Sequence, residues 1–314
     1  MSAQPTVATA FAPASVANVA IGFDILGFSV DALGDRVTLT RTDKPGVTVK
    51  AIRGVVMDLP LEAEKNTAGR ALQAMIQARN LQFGFEMEID KGIPLASGLG
   101  GSAASAVAAV VAANAMIPVP MTRIELLQMA MEGEAVASGS RHADNISPSL
   151  YGGMVLTVGI DHPRVKQIPV PESIHAVIVH PHLQVSTKQA RAILSRTVNM
   201  SDFVWQTANL AGFISGCYTN DLDLIKASLE DVVIEKQRQV LIPGFTEVRA
   251  AALQHGALGC SISGAGPTVF ALCLEADAVV VRNAMVEAFA NQNIETDRWN
   301  VAVQSGGAHV VSSR

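Results

Sequence analysis

The chain has 314 residues, of which 49% are hydrophobic and only 16% charged; that composition supports a sizeable core and argues against a disordered chain. A net charge of -5 gives no reason to expect nucleic acid, so any anionic ligand must be drawn by local N–H groups, cations or metal. Cys217, Cys260 and Cys273 lack metal-ligand spacing and read as buried free thiols; with neither a leader pattern at the N-terminus nor an apolar run of the ~20 residues that span a bilayer, a soluble cytoplasmic protein without a membrane partner is expected.

In chain order, residues 7–11 read as a strand. Residues 12–27 follow as a mostly apolar loop held in turns by Pro13, Gly22 and Gly27, with Asn18 and Asp24 as isolated polar groups. Capping of nearby backbone and contact with a ligand are both open to these two. Residues 35–40 and 47–52 predict a hairpin around 43–46, and 66–79 a helix capped by Asn66 or Thr67. The alternation over 83–89 is that of a strand with one buried face.

The strand leads into Pro94, Leu95, Ala96, Ser97, Gly98, Leu99, Gly100, Gly101, Ser102, Ala103 and Ala104, and then a run of small residues to Asn114. A glycine-rich turn opening a helix leaves free N–H groups at the positive end of the helix dipole, a natural anion site. The hydroxyls of Ser97, Ser102 and Ser105 favour phosphate and Mg²⁺ over a bare turn. No Gly-Lys-Ser or Gly-Lys-Thr is present, which excludes a Walker A loop. Gly98-x-Gly100-x-x-Ala103 matches a dinucleotide fingerprint, but Pro118 and Pro120 lead into another helix where that motif needs a strand.

Thr122-Arg-Ile-Glu125 is a capping box opening a helix to about 138. Its apolar stripe, Ile124, Leu127 and Met131, ends on Glu134, whose burial without a partner would be costly; a cation is the expected companion. His142, Asp144 and Asn145 fall in a loop before a strand at 154–158, where a general-base reading and a hydrogen-bonded turn are both open. Residues 161–173 are polar and proline-bearing, which suggests domains at 1–163 and 164–314. Beyond them come a strand at 175–180, a helix from Ser186 that puts Thr187 and Arg191 on one face, and helices at 202–218, 221–240 and 246–255. A strand, glycine loop and strand fill 259–272. A helix at 276–292 and short strands at 300–303 and 309–312 complete an α+β chain of two domains.

The loop Pro94-x-x-x-Gly98-Leu-Gly-Gly-Ser102-Ala-Ala-Ser resembles the phosphate loop of the GHMP small-molecule kinases. Gly101 departs from the family's usual serine. Further blocks are similar in family order: Pro13 through Gly27, His142-Ala-Asp-Asn145 with Gly152-Gly153, Thr187-Lys-Gln-Ala-Arg191, Arg238 with Pro243, and 259–272. They are most similar to the branch that acts on L-homoserine.

The resemblance implies an N-terminal domain related to ribosomal protein S5 domain 2, a ferredoxin-like C-terminal domain, and phosphoryl transfer from ATP with Mg²⁺. It implies that residues 94–104 and Asn66 hold the nucleotide, and that Ser102 and Glu134 hold the metal. Asn18, Asp24, Thr187, Arg191 and Arg238 would bind the amino acid, with His142, Asn145 and Arg191 at the transfer site. Asn145 falls where a catalytic aspartate stands in mevalonate kinase, and an amide cannot act as that base, so catalysis by positioning and charge stabilisation is implied. A homodimer is the expected assembly. A relative acting on mevalonate or a sugar, or a binding protein without catalysis, remains the alternative.

Overall fold

Alternate residues Ala8, Ala10, Ala12, Ala14 and Val16 are fully buried in the computed structural model, which describes residues 4–138 and 141–314. That period of two continues past the predicted end of the first strand, so β1 runs Val7–Ala17. Pro13 fits because the register with β2 (Leu26–Thr42) shifts between Pro13 and Ala14, a bulge of the kind where proline is tolerated inside a sheet. Only residues 18–25 form the expected turn.

The predicted hairpin does not form. β3 (Val47–Gly54) pairs parallel with β4 (Gly84–Lys91), and β4 lies between β3 and β2. Gly84 is the physical reason: a Cβ there would come 2.3 Å from Gly46 O, so its bare backbone lets the 43–46 turn cross the start of β4. α1 (Thr67–Arg79) connects the two parallel strands.

α2 (Gly101–Asn114) is buried along most of its length, and small side chains let it sit close to β1 and β2. α3 (Arg123–Ser138) opens with the predicted capping box: the Thr122 N–H donates to Glu125 at 2.7 Å, and the Glu125 N–H to the Thr122 hydroxyl at 3.4 Å. The stretch 146–151, expected as loop, is α4 (Ile146–Tyr151), with Pro148 in its first turn, where a missing N–H costs nothing. β5 (Met154–Val158) and β6 (Arg164–Ile168) extend the sheet from β2. The expected boundary at 163/164 therefore falls between two paired strands.

β7 (Ile174–Pro181) begins a second, antiparallel sheet. α5 (Thr187–Ala192) and α6 (Met200–Thr219) follow. The helix expected over 221–240 is broken into α7 (Leu222–Ser228) and α8 (Glu235–Arg238). Asp231 causes the break by accepting the N–H groups of Val233, Ile234 and Glu235 at 2.8–2.9 Å, while Leu229 and Val232 turn inward.

The chain ends with α9 (Phe245–Gln254), β8 (Gly259–Ile262), β9 (Val269–Leu274), α10 (Ala278–Ala290), β10 (Thr296–Ala302) and β11 (His309–Ser313). The second sheet is ordered β10-β7-β9-β8, whereas β11 returns to pair with β1 in the first, ordered β11-β1-β2-β4-β3. β7 is buried on both faces: Ala176 and Ile178 join the larger core, Val177 and Val179 the smaller one beside α9 and α10. Phe28 of β2 meets Phe270 of β9 edge to face at 5.9 Å, tying the halves together. Among the described residues, no helix is long and apolar enough to cross a membrane. Cys217, Cys260 and Cys273 are free and buried, as expected, and burial pushes the Cys217 thiol up to about 12.

Candidate active site

A cavity of about 520 Å³ is lined by residues from both halves of the chain, and the loop before α2 forms one wall. Gly98, at φ +80, packs on the 263–266 loop. The Ser263 hydroxyl donates to Gly98 O at 2.7 Å, and a Cβ on Gly98 would lie 2.6 Å from Ser263 O. Gly100, at φ +68, is the N-cap of α2; a Cβ there would meet Ser15 Oγ at 2.3 Å and Asn145 Oδ1 at 2.8 Å. Both positions need glycine for conformation and for space. Pro94, Leu95, Ala96, Ser97, Gly101 and Ser102 also line the cavity. Leu99, Ala103 and Ala104 do not, since their side chains are buried in the core.

The Ser102 hydroxyl, in the first turn of α2, donates to Glu134 Oε2 in the last turns of α3 at 2.8 Å. Burial pushes the Glu134 carboxyl up to about 7, against the pull of that hydroxyl and of Lys91 and Arg191. A carboxylate raised by desolvation beside a hydroxyl is a pair of hard oxygens that a divalent cation would suit. Among the described residues, no group of three or more His, Cys, Asp or Glu side chains could hold a metal, so phosphate oxygens would have to complete its shell. Asn66 lines the cavity, but its carbonyl caps α1 by accepting the Ala68 and Gly69 N–H groups, both at 3.1 Å, and its amide donates to Pro60 O.

The opposite wall holds opposite charges. Arg191 of α5 donates to both oxygens of Asp24, at 2.7 and 3.0 Å. Arg238 is almost fully buried and donates to Ala190 O at 3.1 Å and Gly264 O at 2.9 Å. The Phe23 ring lies 5.5 Å from the Arg191 guanidinium and 5.0 Å from that of Arg238, favourable cation–π distances. The turn carrying Asp24 is strained: Asn18, Val19, Ala20 and Asp24 all have φ between +46 and +72, and a β-branched valine there is costly. Asn18 holds it, accepting the Asp24 N–H at 3.1 Å and donating to Gly264 O at 3.0 Å. Thr187 is exposed on the same wall.

His142 Nδ1 lies 3.6 Å from Asp24, and burial keeps its imidazole below the usual value, hence neutral near pH 7. Asn145 Oδ1 accepts the Ser15 hydroxyl at 2.9 Å beside Gly100. Apart from Leu99, Ala103 and Ala104, the fold thus brings every expected site position to one cavity, including Asn18, Asp24, Asn66, Glu134, His142, Asn145, Thr187, Arg191 and Arg238.

Two contributors were not assigned to the site from the sequence: Asp144, named only as a loop candidate beside His142 and Asn145, and Lys91. Asp144, nearly buried in the cavity wall, is pushed up to about 7 by burial and by Asp24. Lys91, at the end of β4, donates to Gly101 O at 2.8 Å and to Ser105 at 2.9 Å while paired with the buried Asp35. A lysine closing an alternating strand, where the pattern demands an inward residue, was the available signal for the second.

A family model for the GHMP kinases N terminal domain matches residues 66–153, and one for the GHMP kinases C terminal domain matches 213–291. Homoserine kinase of Xanthomonas campestris pv. campestris is 50% identical over 306 residues, covering 97% of this chain and 94% of its own. The crystal structure of homoserine kinase from Cytophaga hutchinsonii has a TM-score of 0.94 at 44% identity and covers 99% of both chains. Lactococcus lactis galactokinase complexed with galactose, at 14% identity and a TM-score of 0.69, shares the fold alone.

Proposed function

The chain belongs to the GHMP kinase family, and on that premise we propose that it transfers the γ-phosphoryl group of ATP to the side-chain hydroxyl of L-homoserine. The product would be O-phospho-L-homoserine, a step toward threonine in the cytoplasm. The observation that carries the reading is the Asp24–Arg191 pair with Arg238, facing the phosphate loop across one cavity. A zwitterion can enter such a pair by exchange: its ammonium takes Asp24, and its carboxylate takes Arg191 and Arg238. Every charge keeps a partner throughout, which avoids the cost of stranding one in a half-buried site. Thr187 adds a hydroxyl beside the carboxylate. Asn18 acts through Asp24, which its amide holds in place.

On the nucleotide side, N–H groups of residues 98–102 cradle phosphates, Lys91 steadies the loop through Gly101 O, and Asn66 shapes the entrance as it caps α1. Ser102 and Glu134 would hold Mg²⁺. When bound, the ion neutralises phosphate charge and favours in-line transfer. His142 and Asn145 border the acceptor hydroxyl, and neither needs to act as base for positioning to work. Domains at 1–163 and 164–314, exchanging β6 and β11 across that boundary, and a homodimer complete the proposal.

The test is ADP release from ATP and Mg²⁺ with L-homoserine, L-serine, L-threonine, mevalonate, galactose and shikimate, with Glu134→Ala as control. Turnover confined to L-homoserine and lost in the control is expected. Turnover of mevalonate or galactose instead would overturn the acceptor assignment and keep the ATP site.

A further inference from the structure

α6 has 20 residues and a single charge, Asp202. Its inner face, Asn209, Phe213, Gly216 and Cys217, is buried against its own protomer. The outer face carries Val204, Thr207, Ala211, Ser215 and Tyr218, all exposed and spaced by threes and fours, so they form one straight seam. Met200 and Phe203 extend it at the N-terminal end. Met200 is 74% exposed, Phe203 and Val204 58% each, and Tyr218 51%. Uncharged seams of this length on a monomer are unusual, and α6 is not a membrane-crossing helix.

We infer that α6 packs antiparallel on α6 of a second copy of this chain, about a two-fold axis passing Ala211. In that register Val204 lies against Tyr218 of the partner subunit, Thr207 against Ser215 of the partner subunit, and Ala211 against Ala211 of the partner subunit. Small residues at the centre allow close approach, and large ones at the ends cover the flanks. No like charges meet across the axis, as an isologous contact requires. With Trp205 at the edge, the large side chains expose on the order of 600 Å² per protomer, approaching the roughly 800 Å² of a standard interface. The Gln206 amide donates to Ile21 O at 3.2 Å and its carbonyl accepts the Val232 N–H at 2.9 Å, so the paired helix also braces the turn that carries Asp24 and the segment leading to Arg238. The inference rests on the homodimer proposed above and is independent of the chemistry.

The test is the mass of the full chain in solution by light scattering and sedimentation, from low to high micromolar concentration. The wild type should be a dimer. Ala211→Glu, which sets two carboxylates at the axis on an exposed helical position, should weaken association at least roughly a hundredfold with circular dichroism unchanged. Val204→Lys and Tyr218→Glu should each weaken it, and the double variant should restore it, because the new charges face each other only between subunits. A dimer untouched by Ala211→Glu would overturn this face while keeping the dimeric state; single variants without rescue would overturn the antiparallel register. A monomeric wild type would overturn both.

Discussion

In the proposed function the Asp24–Arg191 pair is a receptor formed before any ligand arrives. The guanidinium is fixed from two sides, by the bidentate carboxylate and by the Phe23 ring, and Asp24 is fixed by Asn18 in a left-handed turn. Asp24→Asn should raise KM for the amino-acid acceptor roughly a hundredfold, the scale of a charge-assisted hydrogen bond lost in a half-buried site, with KM for ATP little changed. Steady-state kinetics with each substrate varied separately would check the split. Gly100 makes a different kind of demand. Gly100→Ala puts a methyl 2.3 Å from Ser15 Oγ in a backbone that alanine resists, so a loss of about 2–4 kcal/mol in urea denaturation is expected, together with reduced turnover.

At the scale of elements, Asp231 decides where Arg238 can be. Three N–H groups converge on its carboxylate, so that α8 starts three residues before Arg238. Asp231→Ala should cost about 1–3 kcal/mol in thermal or urea unfolding and raise KM for the acceptor, because the segment carrying Arg238 loses its cap. This turn was not legible in the sequence, where 221–240 has the composition of one helix and nothing local marks the inward turn of Leu229 and Val232. The hairpin over 35–52 misled for a related reason: adjacency in sequence cannot reveal that β4 intervenes, and only the bareness of Gly84 makes that possible. The phosphate loop, the capping box and Glu134 at the end of an apolar stripe were legible because spacing within one element defines them. Phe23 was not, and Asp144 was visible only as one of three polar loop residues, since their places in the site arise only when distant segments meet.

For the whole molecule, burial has an unusual consequence for pH. Glu134, Asp144 and Glu235 are each pushed up to about 7, chiefly by burial, so the folded chain binds more protons than the unfolded one between about 4.5 and 7. Their contribution to stability is therefore present at low pH and lost as pH rises through 7. His142 and His180, lowered by burial, act in the other direction and lose their contribution as pH falls below 6.5. The melting temperature of the ligand-free protein should fall from about pH 6 to pH 8, and Glu134→Gln should reduce that fall. Calorimetry across the range would check both signs.

In the proposed site, Asp24, Arg191 and Arg238 read both charges of the acceptor opposite the phosphate loop. The most direct measurement compares kcat/KM for L-homoserine with that for its deamino and decarboxy analogues, each of which keeps the hydroxyl and lacks one charge. Either omission should lower kcat/KM by roughly a hundredfold or more, and Asp24→Asn should lower turnover of L-homoserine without further lowering that of the deamino analogue. Analogues phosphorylated as well as L-homoserine itself would contradict it.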